Sequence, residues 1–134
     1  MVTKFRALAD LTRLRLVNLL AYKGELCVCD LEKALEADQP YISRHLAYLK
    51  HSGWVQSRRE GTWVLYSLPA DLEATPKAIL ATLKSEWEKN RVFRADQDRL
   101  DQLIEGGSCR SAMAINRTDT TAEGLRGRES TSVS

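Results

Sequence analysis

Apolar residues recur along this chain in three successive rhythms. Phe5, Leu8 and Leu11 fall at spacing three, and Leu14, Leu16, Val17, Leu19 and Leu20 follow as a broad apolar face, the period of helix packed on one side. The pattern predicts helix over 4–22 with a break near Ala9-Asp10, where Asp10 or Thr12 can cap the second segment. Lys23-Gly24 ends it, because a glycine just past a helix readily takes a left-handed cap. Leu31, Ala34 and Leu35 mark a short helix with Asp30 as its expected N-cap. Ile42, Leu46 and Leu49, at spacings of four and three, face inward from a helix that opens at Gln39-Pro40 and runs to about His51. The rhythm then shortens. Trp54, Val55, Trp63, Val64, Leu65 and Tyr66 favour strand, and Glu60-Gly61 between them predicts a hairpin over 54–68. Helical spacing returns at Pro76 and predicts one long helix to about Ile104. Ile79, Leu80, Leu83 and Trp87 form one stripe of it, and Leu100, Leu103 and Ile104 form another. Such a helix carries more apolar surface than a small core needs, and a second copy of the chain is a natural cover.

The 134 residues suit a single domain with a modest core. From Gly106 onward Gly, Ser, Thr, Arg and Glu replace the large apolar residues. The expected organisation is therefore one domain over 1–105 and a mostly disordered tail over 106–134 that carries Cys109. No apolar run approaches the ~18 residues of a membrane span. Met1–Phe5 shows no secretory apolar core, so the expected location is cytoplasmic. Neither a phosphate-binding glycine loop nor a zinc-hydrolase histidine pair is present in the sequence, and no enzyme is expected.

Charge changes the picture locally. The whole chain is +2, whereas 39–63 holds Arg44, Lys50, Arg58 and Arg59 against the single acid Glu60. A short helix, a turn, a second helix with an exposed polar face and a hairpin make a groove-reading design. In that reading Gln39, Tyr41, Ser43, Arg44, His45 and Lys50 face DNA, and Arg58 and Arg59 of the hairpin reach phosphate. Helix pairs of this kind also occur with no nucleic-acid partner. His45 and His51 lie six residues apart, about 240° around a helix. A shared metal is not expected of them, and His51 reads as a surface residue.

Cys27 and Cys29 stand one residue apart, just before the helix pair. Thiolates prefer soft ions, so a soft metal or metalloid is one occupant. Two small buried hydrophobes are a second reading, and a redox pair is a third, although the thioredoxin-like signal has two intervening residues. A shared ligand favours extended backbone here, because residues two apart then point the same way. Cys109 completes the set of three cysteines.

Four stretches together resemble the ArsR/SmtB family of winged-helix repressors. They are Ala7-Leu8-Ala9-Asp10-x-Thr12-Arg13-Leu14, Gly24-Glu25-Leu26-Cys27-Val28-Cys29-Asp30-Leu31, Gln39-Pro40-x-Ile42-Ser43-Arg44-His45-Leu46 and Arg59-x-Gly61-x-Trp63-Val64-x-Tyr66. The resemblance spans about Phe5 to Cys109. It implies a mainly α fold with a β-hairpin wing, a winged helix-turn-helix of the α+β class that dimerises through its first and last helices. Phe5, Leu8, Ile79, Leu80, Leu83 and Trp87 are then the expected dimer contacts. It further implies a homodimer that sits on operator DNA, represses resistance genes and leaves when trivalent arsenic or antimony binds thiolates. Cys27 and Cys29 match the family's Cys-Val-Cys-Asp motif, but Glu32 stands where arsenical members have a third cysteine. A carboxylate is a poor substitute for a thiolate, so the site either works with two protein sulfurs plus a small ligand or recruits Cys109, from either subunit, and Cys109 is the expected third ligand. Relatives that sense cadmium or lead share the Cys-x-Cys pair and add cysteines from an N-terminal extension. None of the four residues before Phe5 is cysteine, which ranks a cadmium, lead or zinc response second, beside a thiol-redox response.

Overall fold

The computed structural model describes residues 2–107. The chain opens with α1 (Val2–Ala7) and α2 (Leu11–Lys23). Of the two expected caps, Asp10 takes the role, its carboxylate accepting from the Arg13 backbone N–H at 3.0 Å. Leu16, Val17, Leu19 and Leu20 of α2 are buried at the centre of the core. Each such side chain contributes roughly 1.5–3 kcal/mol by leaving water. Gly24 closes α2 at φ 93°, a conformation that costs glycine little and other residues much.

A strand absent from the periodicity follows. β1 (Glu25–Cys27) leads straight into α3 (Val28–Leu35), which turns through 36–38 into α4 (Gln39–His51). Asp38 caps α4 by accepting from Tyr41 N–H at 3.0 Å. The hairpin is β2 (Gln56–Glu60) and β3 (Trp63–Ser67), and the antiparallel sheet runs in the order β1-β3-β2. Trp54 and Val55, expected in the first arm of the hairpin, are buried ahead of it. The Trp54 indole N–H donates to the Lys4 carbonyl at 2.6 Å, fastening α1 to the end of α4. Large apolar residues there serve the core, so strand begins only at Gln56.

The single long helix expected after Pro76 is two helices, α5 (Ala74–Trp87) and α6 (Arg91–Glu105). Asn90 makes the break, its Oδ1 accepting from the N–H groups of Val92 at 2.9 Å and Phe93 at 3.3 Å. Across the break Trp87 stacks on Phe93 with centroids 5.2 Å apart and planes 6° apart. The expected dimer contacts differ in their exposure within the subunit. Leu80 and Trp87 are only 9% and 4% exposed within the subunit and belong to its own core. Phe5, Leu8, Ile79 and Leu83 are half-buried. No described helix is long and apolar enough to cross a membrane. The tail beyond residue 107, including Cys109, lies outside the described residues.

Candidate functional site

The cysteine pair sits at the junction of strand and helix. Cys27 ends β1, its backbone still extended at φ −87° and ψ 162°, and faces Leu65 across the pairing with β3. Cys29 lies in the first turn of α3, half-buried. The expected N-cap is therefore displaced: Asp30 is inside the helix and buried, and Cys27 occupies the cap position without a side-chain capping bond. Pairing with β3 carries the chain straight to Cys27, which leaves Val28 as the first residue free to coil. Although Cys29 is helical rather than extended, both cysteines line one cleft of about 350 Å³. Glu32, one turn further along α3, lines it too. So do Gln39 at the start of α4 and Trp63 at the start of β3.

Cys27 is 1% exposed. Burial is the main cause that pushes its thiol up to about 11, with the Asp30 charge adding to the rise and backbone hydrogen bonds from Asp30 and Cys29 opposing it. The group is a neutral thiol at pH 7. Among the described residues no three His, Cys, Asp or Glu side chains are grouped to hold a metal ion. Two cysteine sulfurs and a carboxylate line this one cleft, and sulfur of this kind prefers soft, thiophilic centres.

The second half of the site is α4 and the hairpin. Ile42, Leu46 and Leu49 are buried, leaving Gln39, Tyr41, Arg44, Tyr48 and Lys50 exposed and Ser43 half-buried. The Arg44 guanidinium lies over the Tyr41 ring at 5.7 Å, and the Tyr41 hydroxyl meets Thr12 Oγ1 at 2.9 Å. His45 does not stand outward with them. Its side chain is 15% exposed, with Nδ1 3.3 Å from Arg13 Nη1 and 3.8 Å from Asp10 Oδ2. Burial lowers its pKa, against the pull of Asp10. His45 joins α4 to the start of α2, a packing role that helical spacing alone does not reveal. Lys50 donates to Ser57 Oγ at 2.8 Å, tying α4 to the hairpin. Arg58 forms a two-pronged ion pair with Glu25 at 2.6 and 2.7 Å, whereas Arg59 is exposed.

Two contributors escaped the sequence reading. Arg13 donates to the Ala7 carbonyl at 2.6 Å and lies over the Tyr48 ring at 4.0 Å, so it locks α1, α2 and α4 together. Tyr48 follows Tyr41 and Arg44 at helical spacing, which was the available signal for it.

Comparison with known proteins places this geometry. Residues 10–57 match the model of the bacterial regulatory protein, arsR family. The chain is 47% identical over 102 residues to the arsenic resistance transcriptional regulator ArsR1 of Pseudomonas putida, covering 75% of this chain and 77% of that protein. It is 41% identical over 100 residues to the arsenical resistance operon repressor of Escherichia coli, covering 75% and 78%. Among solved structures, the homodimeric winged helix-turn-helix DNA-binding domain Mb0332 of Mycobacterium bovis superposes with a TM-score of 0.56 at 28% identity. That match covers 66% of this chain and 78% of the solved one.

Proposed function

The chain belongs to the arsR family of bacterial regulatory proteins, and on that premise we propose a metalloid-responsive transcriptional repressor. It holds operator DNA as a homodimer and lets go when trivalent arsenic or antimony bonds to Cys27 and Cys29. DNA binding and dimerisation both reside in 1–105. One observation carries the reading. The cleft lined by both cysteines is also lined by Gln39 of α4 and Trp63 of the hairpin. A ligand seated on the thiols thus borders both elements suited to DNA.

The chemistry of the donors supports arsenic. A neutral thiol condenses with an As–OH group, forming S–As and releasing water, with no charge left in the buried pocket. A divalent cation must instead displace the thiol proton, which burial of Cys27 disfavours. Both thiols have to be reduced for this reaction. A third As–OH is retained or exchanged for the thiol of Cys109. Bonding across the β1–α3 junction reorients α3, and α4 follows because only 36–38 separate them. Arg44 and Arg59 supply the principal phosphate and base contacts on this reading.

A gel-shift assay with promoter DNA, with and without sodium arsenite, tests the proposal. The expected result is a retarded complex that arsenite dissolves and that Cys27→Ser or Cys29→Ser makes insensitive. Release by cadmium chloride alone would move the reading to a cadmium regulator, and release by a thiol oxidant alone would move it to a redox regulator.

A further inference from the structure

Asp96 of α6 has a fully buried side chain, and two arginines from different helices converge on it. Arg15 of α2 donates from Nε to Oδ2 and from Nη2 to Oδ1, both at 2.8 Å. Arg99, three residues along α6, donates from Nη2 to Oδ1 at 2.6 Å. Its Nε is turned elsewhere and donates to the Ala34 carbonyl at 2.7 Å. Ala34 lies in the last turn of α3, where carbonyls have no partner within their own helix.

A buried ion pair gains little net stability over apolar packing of the same volume. This one supplies a fixed connection. The planar guanidinium of Arg99 spans a carboxylate and a carbonyl at set angles, and Arg15 holds that carboxylate on α2. α3 is an eight-residue rod, about 12 Å long at the helical rise. Cys29 is at one end and Ala34 at the other, next to the turn into α4.

We propose that Arg99 is a positioning residue for the inducer response: it pins the far end of α3 to α6. A change at the thiol end then swings α3 about that pin and carries α4 with it. The inference rests on the repressor reading above. Without the pin, the thiols still take their ligand, but the far end of α3 yields locally and α4 keeps its orientation.

The test uses the full-length protein, promoter DNA that the wild type binds, and sodium arsenite as the probe. DNA affinity is measured by fluorescence anisotropy with and without arsenite, and arsenite binding to the DNA-free protein by the ultraviolet absorbance of its sulfur–arsenic bonds. The wild-type affinity ratio is expected in the range of roughly 5–150-fold, and Arg99→Gln and Arg99→Lys are expected to bring it below about threefold. Arsenite binding to the DNA-free variants stays within about twofold of wild type. The lysine variant retains a cation beside Asp96 without the fork, so it remains informative where the glutamine variant does not fold. A merely structural role lowers Tm and leaves the ratio alone. A folded Arg99→Lys protein with the wild-type ratio therefore overturns the inference while the repressor reading stands. A wild type whose DNA binding ignores arsenite overturns both.

Discussion

Glu25 and Arg58 hold each other through two hydrogen bonds, two residues before Cys27. An arginine expected on phosphate is thus engaged by a carboxylate of the strand that leads to the thiols. An ion pair this exposed is worth only about 0–1 kcal/mol, so phosphate competes for the guanidinium. Glu25→Gln is expected to tighten DNA binding and steepen its salt dependence. One more phosphate contact per subunit, two per dimer, steepens the slope of log K against log salt by about 1.8. An unchanged affinity and slope would show that Arg58 makes no phosphate contact. Cys27 yields a pH prediction. Its thiol titrates near 11 in the fold against an ordinary value of 9.0. The unfolded chain therefore ionises first, and this group's contribution to stability, intact below about pH 9, is lost as pH rises toward about 11. At pH 8, in a Cys29→Ser, Cys109→Ser background, iodoacetamide should alkylate folded Cys27 about a hundredfold more slowly than the urea-unfolded chain, from the thiolate fraction alone. Equal rates would contradict the buried neutral thiol. Neither feature was readable residue by residue. Adjacent arginines look equivalent in sequence, and it is the register, placing Arg58 opposite Leu65 and Leu65 opposite Cys27, that separates Arg58 from Arg59.

At the scale of elements, the periodicity located the helices at 11–23 and 39–51, because buried positions at helical spacing and a capping residue are local signals. It missed the boundary between α5 and α6, since both sides continue in helical spacing and the cap lies inside a charged stretch. Asn90 accepts from two N–H groups that start α6, and removing such a cap costs about 1 kcal/mol. Asn90→Ala should lower the urea midpoint by that amount of stability with the m-value unchanged. A loss below about 0.3 kcal/mol would mean the turn is held by the Trp87–Phe93 stack instead. β1 escaped notice for a different reason. Three residues are too few to show alternation, and the strand exists because β3 offers an edge to Leu26 and Cys27.

At the scale of the molecule, the proposed function makes the cysteines and the α4 surface two ends of one short path through α3. Linkage requires that DNA weaken arsenite binding by the same factor by which arsenite weakens DNA binding. Arsenite titrations of the free protein and of the DNA complex are expected to differ by that factor, and a mismatch beyond error would rule out coupling through one equilibrium.

Local spacing sufficed for the helix pair, the hairpin, the paired cysteines and the family they resemble, since periods, caps and turn residues act over a few positions. Tertiary packing made the choices among candidates. It turned His45 inward to Arg13, gave Arg58 to Glu25, folded Leu80 and Trp87 into the subunit and brought Arg15 to Asp96 across 81 positions of chain. Partners that distant in sequence meet only when the core sets the angle between helices, and no local pattern carries that angle. The same packing put Cys27 at the end of a strand and Cys29 inside a helix, yet on one cleft. Their spacing in the chain made a shared ligand one reading among three, and the β1–α3 junction set both residues on that cleft.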